Sequence, residues 1–121
     1  MRQQKDTFVK LVSNQIERRC MTYPLVKRVS HRMLGEMLRM MLSERLFFDL
    51  TLEEGRTLSR AFTAVAYDWR RTDLIYLSPV GSDEEFSAAV TQAGLNVETA
   101  DGGHHLSWDD VTELAERLAV E

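Results

Sequence analysis

The sequence predicts an α+β fold: three N-terminal helices packed on a small three-stranded mixed sheet with two helices, in the order αααβαββα. Three observations lead there. Apolar residues recur at helical spacing from about residue 5 to Trp69. At Thr72 the pattern changes to short apolar runs bounded by turn signals, and Asp101-Gly102 is a two-residue hairpin signal between alternating segments. The 121 residues are expected to form a single domain, 1–121, with a basic helical lobe over 1–71 and an acidic βαββα lobe over 72–121. A chain of this length buries roughly two-thirds of its unfolded surface and needs no covalent staples.

The first helix is expected over about 5–20, where Phe8, Val12, Ile16 and Cys20 recur every four residues with Leu11 beside them. Pro24 disfavours helix at Tyr23 and suits the first turn of a second helix, about 24–46. Val26, Val29, Met33, Met37, Met40 and Met41 follow helical spacing in it, as do Leu34, Leu38 and Leu42, and this wide apolar surface makes it the central helix. Thr51-Leu52-Glu53-Glu54 reads as a capping box opening a third helix, which runs to about Trp69 with Leu58, Phe62, Val65 and Trp69 inward.

Beyond the boundary at 70–73, Leu74-Ile75-Tyr76-Leu77 reads as a short buried strand. Ser82-Asp83-Glu84-Glu85 reads as a second capping box, opening a helix that Gly94 ends. Asn96–Ala100 and Gly103–Ser107 alternate as the two strands of a hairpin. The helix between the first two strands predicts a parallel pair with a right-handed crossover. Ser107-Trp108-Asp109-Asp110 caps a last helix with Val111, Leu114, Ala115 and Leu118 inward.

Charge is strongly divided. Residues 1–71 hold fourteen of the fifteen Lys and Arg against eight acidic groups, a net of +6, whereas residues 72–121 hold one basic group against eleven acidic ones, a net of −10. Such polarity governs which partners a chain attracts and how it meets them. No apolar run approaches the ~20 residues of a membrane span, so no membrane partner is expected. No signal peptide is recognisable, and Cys20 is the one cysteine, so the chain is read as cytoplasmic.

No catalytic residue, metal site or cofactor is assigned. Asp101, His104 and His105 are close in sequence, but adjacent strand residues point to opposite faces, and a closed metal site wants about four convergent ligands. Cys20 continues an apolar stripe and behaves as a small hydrophobe; a Cys20–His31 dyad has no third group to orient it. Ser78–Ser82 precedes an expected helix N-terminus, but it lacks the glycines and lysine of a phosphate loop. A helix-turn-helix over 51–71 is disfavoured because Ser59-Arg60 makes a poor turn and Phe62 fits one continuous helix. The acidic half also allows nucleic-acid mimicry, an idea resting on charge alone.

The basic stripe of the second helix is the candidate site. Arg28, Arg32 and Arg39 fall on one line with Lys27 and His31 beside it, and Gly35 would let a partner backbone approach. Arg18, Arg19, Arg70 and Arg71 are candidates for further contacts. The competing interpretation is a solvated face neutralised by the chain's own carboxylates. The chain is therefore read as a small non-catalytic interaction or regulatory protein: an inhibitor, antitoxin-like protein or adaptor. It would bind a macromolecular partner, protein before nucleic acid, through this face; the run Met33, Met37, Met40 and Met41 is read as core, and would mark a homodimer interface were that helix partly exposed. Direct nucleic-acid binding by the basic lobe is the alternative, and an enzyme of unspecified reaction comes third.

Overall fold

The computed structural model describes residues 22–119. It corrects the expected architecture. Instead of three N-terminal helices on a three-stranded mixed sheet, the described chain forms two antiparallel meanders, each followed by a helix. The first meander comprises β1 (Leu25–His31), β2 (Gly35–Met41) and β3 (Phe47–Leu50), and α1 (Leu52–Tyr67) follows it. A 3₁₀ turn, Trp69–Arg71, leads to the second meander: β4 (Leu74–Leu77), β5 (Phe86–Thr91), β6 (Gly94–Thr99) and β7 (Gly102–Ser107). It ends in α2 (Trp108–Leu118). The helix expected over 5–20 lies outside the described residues.

The segment read as the central helix is the β1–β2 hairpin. Its composition explains the error. Met37, Leu38, Met40 and Met41 of β2 are all buried, two on each face of the sheet, so strand alternation is hidden and the apolar run mimics a helix. Met, Leu, Glu and Arg are good helix formers, and tertiary burial overrides that preference here. The turn supplies the missing signal. His31 pairs with Gly35 across a three-residue loop, and Gly35 has φ +83°, a conformation natural to glycine at a hairpin bulge. The His31 Nδ1 accepts hydrogen bonds from the N–H groups of Met33 and Leu34, 3.1 Å each, which closes the loop.

The second capping box is also absent. The Ser82 hydroxyl accepts instead from the Asp49 N–H at 2.7 Å, and Phe86-Ser87-Ala88-Ala89-Val90-Thr91 is strand β5, with Phe86 and Ala88 fully buried. The predicted parallel pair is therefore antiparallel. Thr91 and Gly94 close a two-residue turn, so Gly94 opens a strand and does not end a helix. The second hairpin falls where expected but one residue earlier: Thr99 pairs with Gly102, leaving Ala100-Asp101 as the loop.

Other local readings hold. Thr51 caps α1 in a full capping box with Glu54, and Ser107 caps α2 in one with Asp110. The helices run in opposite directions against each other: Gly55 lies at Leu118, and the buried Ser59 hydroxyl donates to the Ala115 carbonyl at 2.7 Å. One apolar cluster draws on both sheets and both helices. At its centre Phe86 meets Phe48 edge-on, with ring centroids 5.3 Å apart, and Phe62 at 5.9 Å. This aromatic group joins β3, α1 and β5, so the first meander packs against the second through buried side chains.

Gly94 has φ +142°, and a Cβ there would collide with the Leu106 carbonyl oxygen of the neighbouring strand. Gly94→Ala should therefore lower unfolding free energy by about 2–4 kcal/mol in urea titration, because strain and a backbone collision act together. An unchanged midpoint would contradict the β6–β7 register.

Candidate functional site

The structure disperses the basic stripe. Lys27, Arg28 and His31 stand on β1, Arg32 in the turn, and Gly35 and Arg39 on β2. Directly opposed residues share a face. Lys27 is opposite Arg39, whereas Arg28 is opposite Leu38, so Arg28 leaves from the other side of the hairpin. The predicted line of three arginines does not form.

The two strand arginines are also engaged within the chain. The Arg39 guanidinium makes a two-pronged bridge to Asp49, Nε–Oδ1 2.8 Å and Nη2–Oδ2 3.1 Å, and lies 4.3 Å from the centre of the Phe47 ring. Hydrogen bonding and attraction to Asp49 hold its pKa above the ordinary arginine value against partial desolvation. Arg28 is bridged to Glu36. Nearer α1, Arg70 is bridged to Asp68. The His31 ring serves the turn, and Gly35 serves the backbone there. Lys27, Arg32 and Arg71 are exposed and have no ion pair among the described residues. Arg18, Arg19 and Cys20 lie outside the described residues.

Neither nucleophile nor metal chemistry gains support from the geometry. His104 pairs with Val97 and His105 with Asn96, on opposite faces of the sheet as strand geometry requires. His105 Nδ1 is hydrogen-bonded with Asn96 Oδ1 at 2.9 Å. Among the described residues no three His, Cys, Asp or Glu side chains are placed to hold a metal, and no helix is long and apolar enough to cross a membrane. Residues 52–67 are one continuous helix, so the 51–71 segment holds no helix-turn-helix.

The surface that sequence reasoning missed lies along β4. This strand pairs only with β5, and its other side has no backbone partner among the described residues. Beside it opens a groove of about 540 Å³, walled by Ala61, Ala64 and Val65 of α1 and by Leu74, Ile75 and Tyr76 of β4, with Asp68, Arg71 and Thr72 adding a polar side. Large apolar groups stand open around it: Tyr67 is 89% exposed, Tyr76 54% and Leu74 53%. Ile75 points inward and is buried. The sequence predicts a strand at Leu74–Leu77 and the structure has one, at a sheet edge and with Leu74 and Tyr76 exposed where a buried strand is expected. Whether a strand is central or at an edge depends on its neighbours, which four residues do not encode.

The other strand edges differ from β4 in their chemistry. At β3 the Ser82 hydroxyl takes the Asp49 N–H and donates back to the Asp49 carbonyl at 3.4 Å. The Val80 N–H donates to Glu54 Oε2 at 3.1 Å and fastens the same loop to α1. The β1 edge carries Lys27 and Arg28, and the β7 edge is Gly102-Gly103-His104-His105, polar and poor in side chain. Charge and short or irregular edges are the usual defences against unwanted pairing. Among the described residues only β4 combines an edge without a second partner with an uninterrupted apolar sequence.

No family model, curated protein or solved structure matches this chain.

Two measurements test this description. Arg39→Ala should cost about 1–3 kcal/mol in chemical denaturation, because it strands the partly buried Asp49 and uncovers Phe47; a neutral result would place Arg39 in solvent, as a docking residue requires. Hydrogen bonding toward the Glu85 carboxylate, with slight desolvation and the same negative charge, holds the Tyr76 phenol pKa above its ordinary value against an opposing contribution from Ser78. Ultraviolet titration should therefore show Tyr76 ionising at lower pH in Glu85→Gln than in the parent chain; identical titrations would separate Glu85 from Tyr76.

Proposed function

We propose that this chain is a non-catalytic intracellular interaction protein, of inhibitor, antitoxin-like or adaptor type, that grips an extended polypeptide by adding it as a strand to β4. The observation that carries this reading is the pairing of an edge strand, uncharged and without a second strand partner among the described residues, with a groove along its flank that is apolar along α1 and β4 and polar at Asp68, Arg71 and Thr72. Strand addition divides the work of recognition: main-chain hydrogen bonds hold the segment, and alternate side chains enter the groove or cross the outer face. The exposed Tyr67 and Tyr76 suit it, since tyrosine supplies large contact area with little conformational entropy to lose.

The basic face takes a smaller role than its composition suggests. Lys27 and Arg32 remain exposed on the hairpin and can steer an acidic partner, but Arg28 and Arg39 already hold Glu36 and Asp49. For the same reason nucleic-acid binding is the weaker alternative: engaged guanidiniums are poor phosphate ligands, and affinity for duplex depends on the number of phosphates neutralised. A cytoplasmic setting belongs to this reading and rests on the single cysteine of the sequence.

The test is site-specific photocrosslinking in the native host, with a benzophenone amino acid at Tyr76 in one strain and at Arg32 in another. The proposal expects polypeptide adducts through position 76 that the Leu74→Lys change abolishes, and few through position 32. Nucleic-acid adducts through position 32, with none of polypeptide through position 76, would overturn it.

A further inference from the structure

The two helices close one face of the first sheet. Gly55 of α1 packs on Leu38, and Arg117 of α2 lines a hollow with Val26, Arg28 and Leu38. Arg28 and Leu50 lie opposite Leu38, so these residues share a face and both helices sit on it. The other face carries Val29 and Met37 at one end and the Arg39–Asp49 bridge in the middle. At its far end Leu25, Met41 and Phe47 form one row across all three strands. Met37 and Met41 are buried on this face, yet both stand outside the apolar cluster that the helices share. Gly81 seats against the Met37 methyl and covers that end. At the other end Met41 is flanked by Leu25 and Phe47, and Phe47 stands 41% exposed. Three large apolar side chains in a row on a sheet call for a second layer.

We infer that residues 8–20 of the same chain supply that layer by docking on the Leu25–Met41–Phe47 row. They lie outside the described residues, and position, pattern and length point to them. The described chain begins at Thr22, and Thr22 to Leu25 share a hollow with Asp110 and Glu113 of α2. The segment therefore arrives along the unpaired side of β1, at the row in question, where α2 already occupies the opposite face. Phe8, Leu11, Val12 and Ile16 recur at a spacing that would gather them on one side of a helix. Such a stripe and an apolar sheet face each need the other as cover. A helix over 8–20 would span about 18 Å, enough to cross three strands set ~4.8 Å apart. The link from Cys20 to Leu25 reaches roughly 17 Å when extended, which allows the turn onto the face. A segment tethered this close acts at an effective concentration on the order of millimolar, which favours it over a second copy or an outside polypeptide.

A benzophenone amino acid at position 47 of the full chain tests the inference, with adducts mapped by mass spectrometry. Adducts to residues 8–20 of the same molecule are expected, at the monomer mass of 14.0 kDa. The double change Phe8→Asp/Ile16→Asp should abolish them, because carboxylates do not bury against an apolar row. Adducts confined to residues 22–119, or made to a second copy or to another polypeptide, would overturn the inference. Cys20 gives a second readout that needs no crosslinker. It is the one thiol of the chain, so the rate of alkylation by iodoacetamide reports its cover alone. Phe47→Gln alters an exposed side chain and should keep the parent melting temperature. It should speed Cys20 alkylation about tenfold, as expected for the loss of one apolar contact surface. Equal rates in the parent chain and in Phe47→Gln would likewise overturn it. Neither result bears on β4, which lies in the other sheet.

Discussion

Every open sheet must end, and the backbone groups at its edges need partners; this constraint organises the molecule. Two meanders give four edges, and the chain treats them differently. Ser82 reaches across to satisfy the edge of β3, and Glu54 fixes the loop that carries it while also capping α1. The β1 edge is guarded by charge and the β7 edge by glycine and histidine. What remains is β4, whose four residues are all apolar and whose flank is a groove. Unpaired apolar edges invite association, so sequences that persist as monomers blunt them. Among the described residues β4 is short but has no charged side chain between Leu74 and Leu77, and that apolar edge is the physical basis for placing an interaction there.

The aromatic group of Phe48, Phe62 and Phe86 explains why that edge stays in place. Phe86 begins β5 directly opposite Leu77, the last residue of β4. Its fully buried ring rests against one residue from the first meander and one from α1. The edge strand therefore hangs on the most deeply anchored residue of its neighbour, and the groove wall of α1 is held by the same cluster through Phe62 and Val65. Side chains that bind on a rigid frame lose less entropy than side chains on a mobile loop. The exposed residues of the site are thus carried on buried supports.

Much of the C-terminal half was legible in the sequence. Both true capping boxes, at Thr51 and Ser107, announced their helices; the strands at β4, β6 and β7 and the hairpin near Asp101 followed from alternation and turn chemistry. The failures have a common cause. In β2 both faces are buried, so Met37-Leu38 and Met40-Met41 erase the two-residue period; in β5 the small residues Ser87, Ala88 and Ala89 erase it as well. A four-residue capping pattern at Ser82 then tipped β5 toward helix, because nothing local reveals that its hydroxyl is committed to Asp49, thirty-three residues away. The site failed similarly. Charge segregation along the sequence is real, but Glu36 and Asp49 lie within reach only once the meander forms, and they neutralise the arginines that made the stripe attractive. The β4 edge could not be seen at all, since an edge is a property of topology.

Amide hydrogen exchange of β4, with and without the polypeptide captured by crosslinking at position 76, is the most direct test of the proposal that this edge receives a strand. Strand addition predicts that outward-facing amides of Leu74–Leu77 exchange rapidly in the chain alone and become protected in the complex, while amides of β6 stay protected throughout. Amides of β4 that are equally protected in the chain alone, or that gain no protection in the complex, would contradict the account.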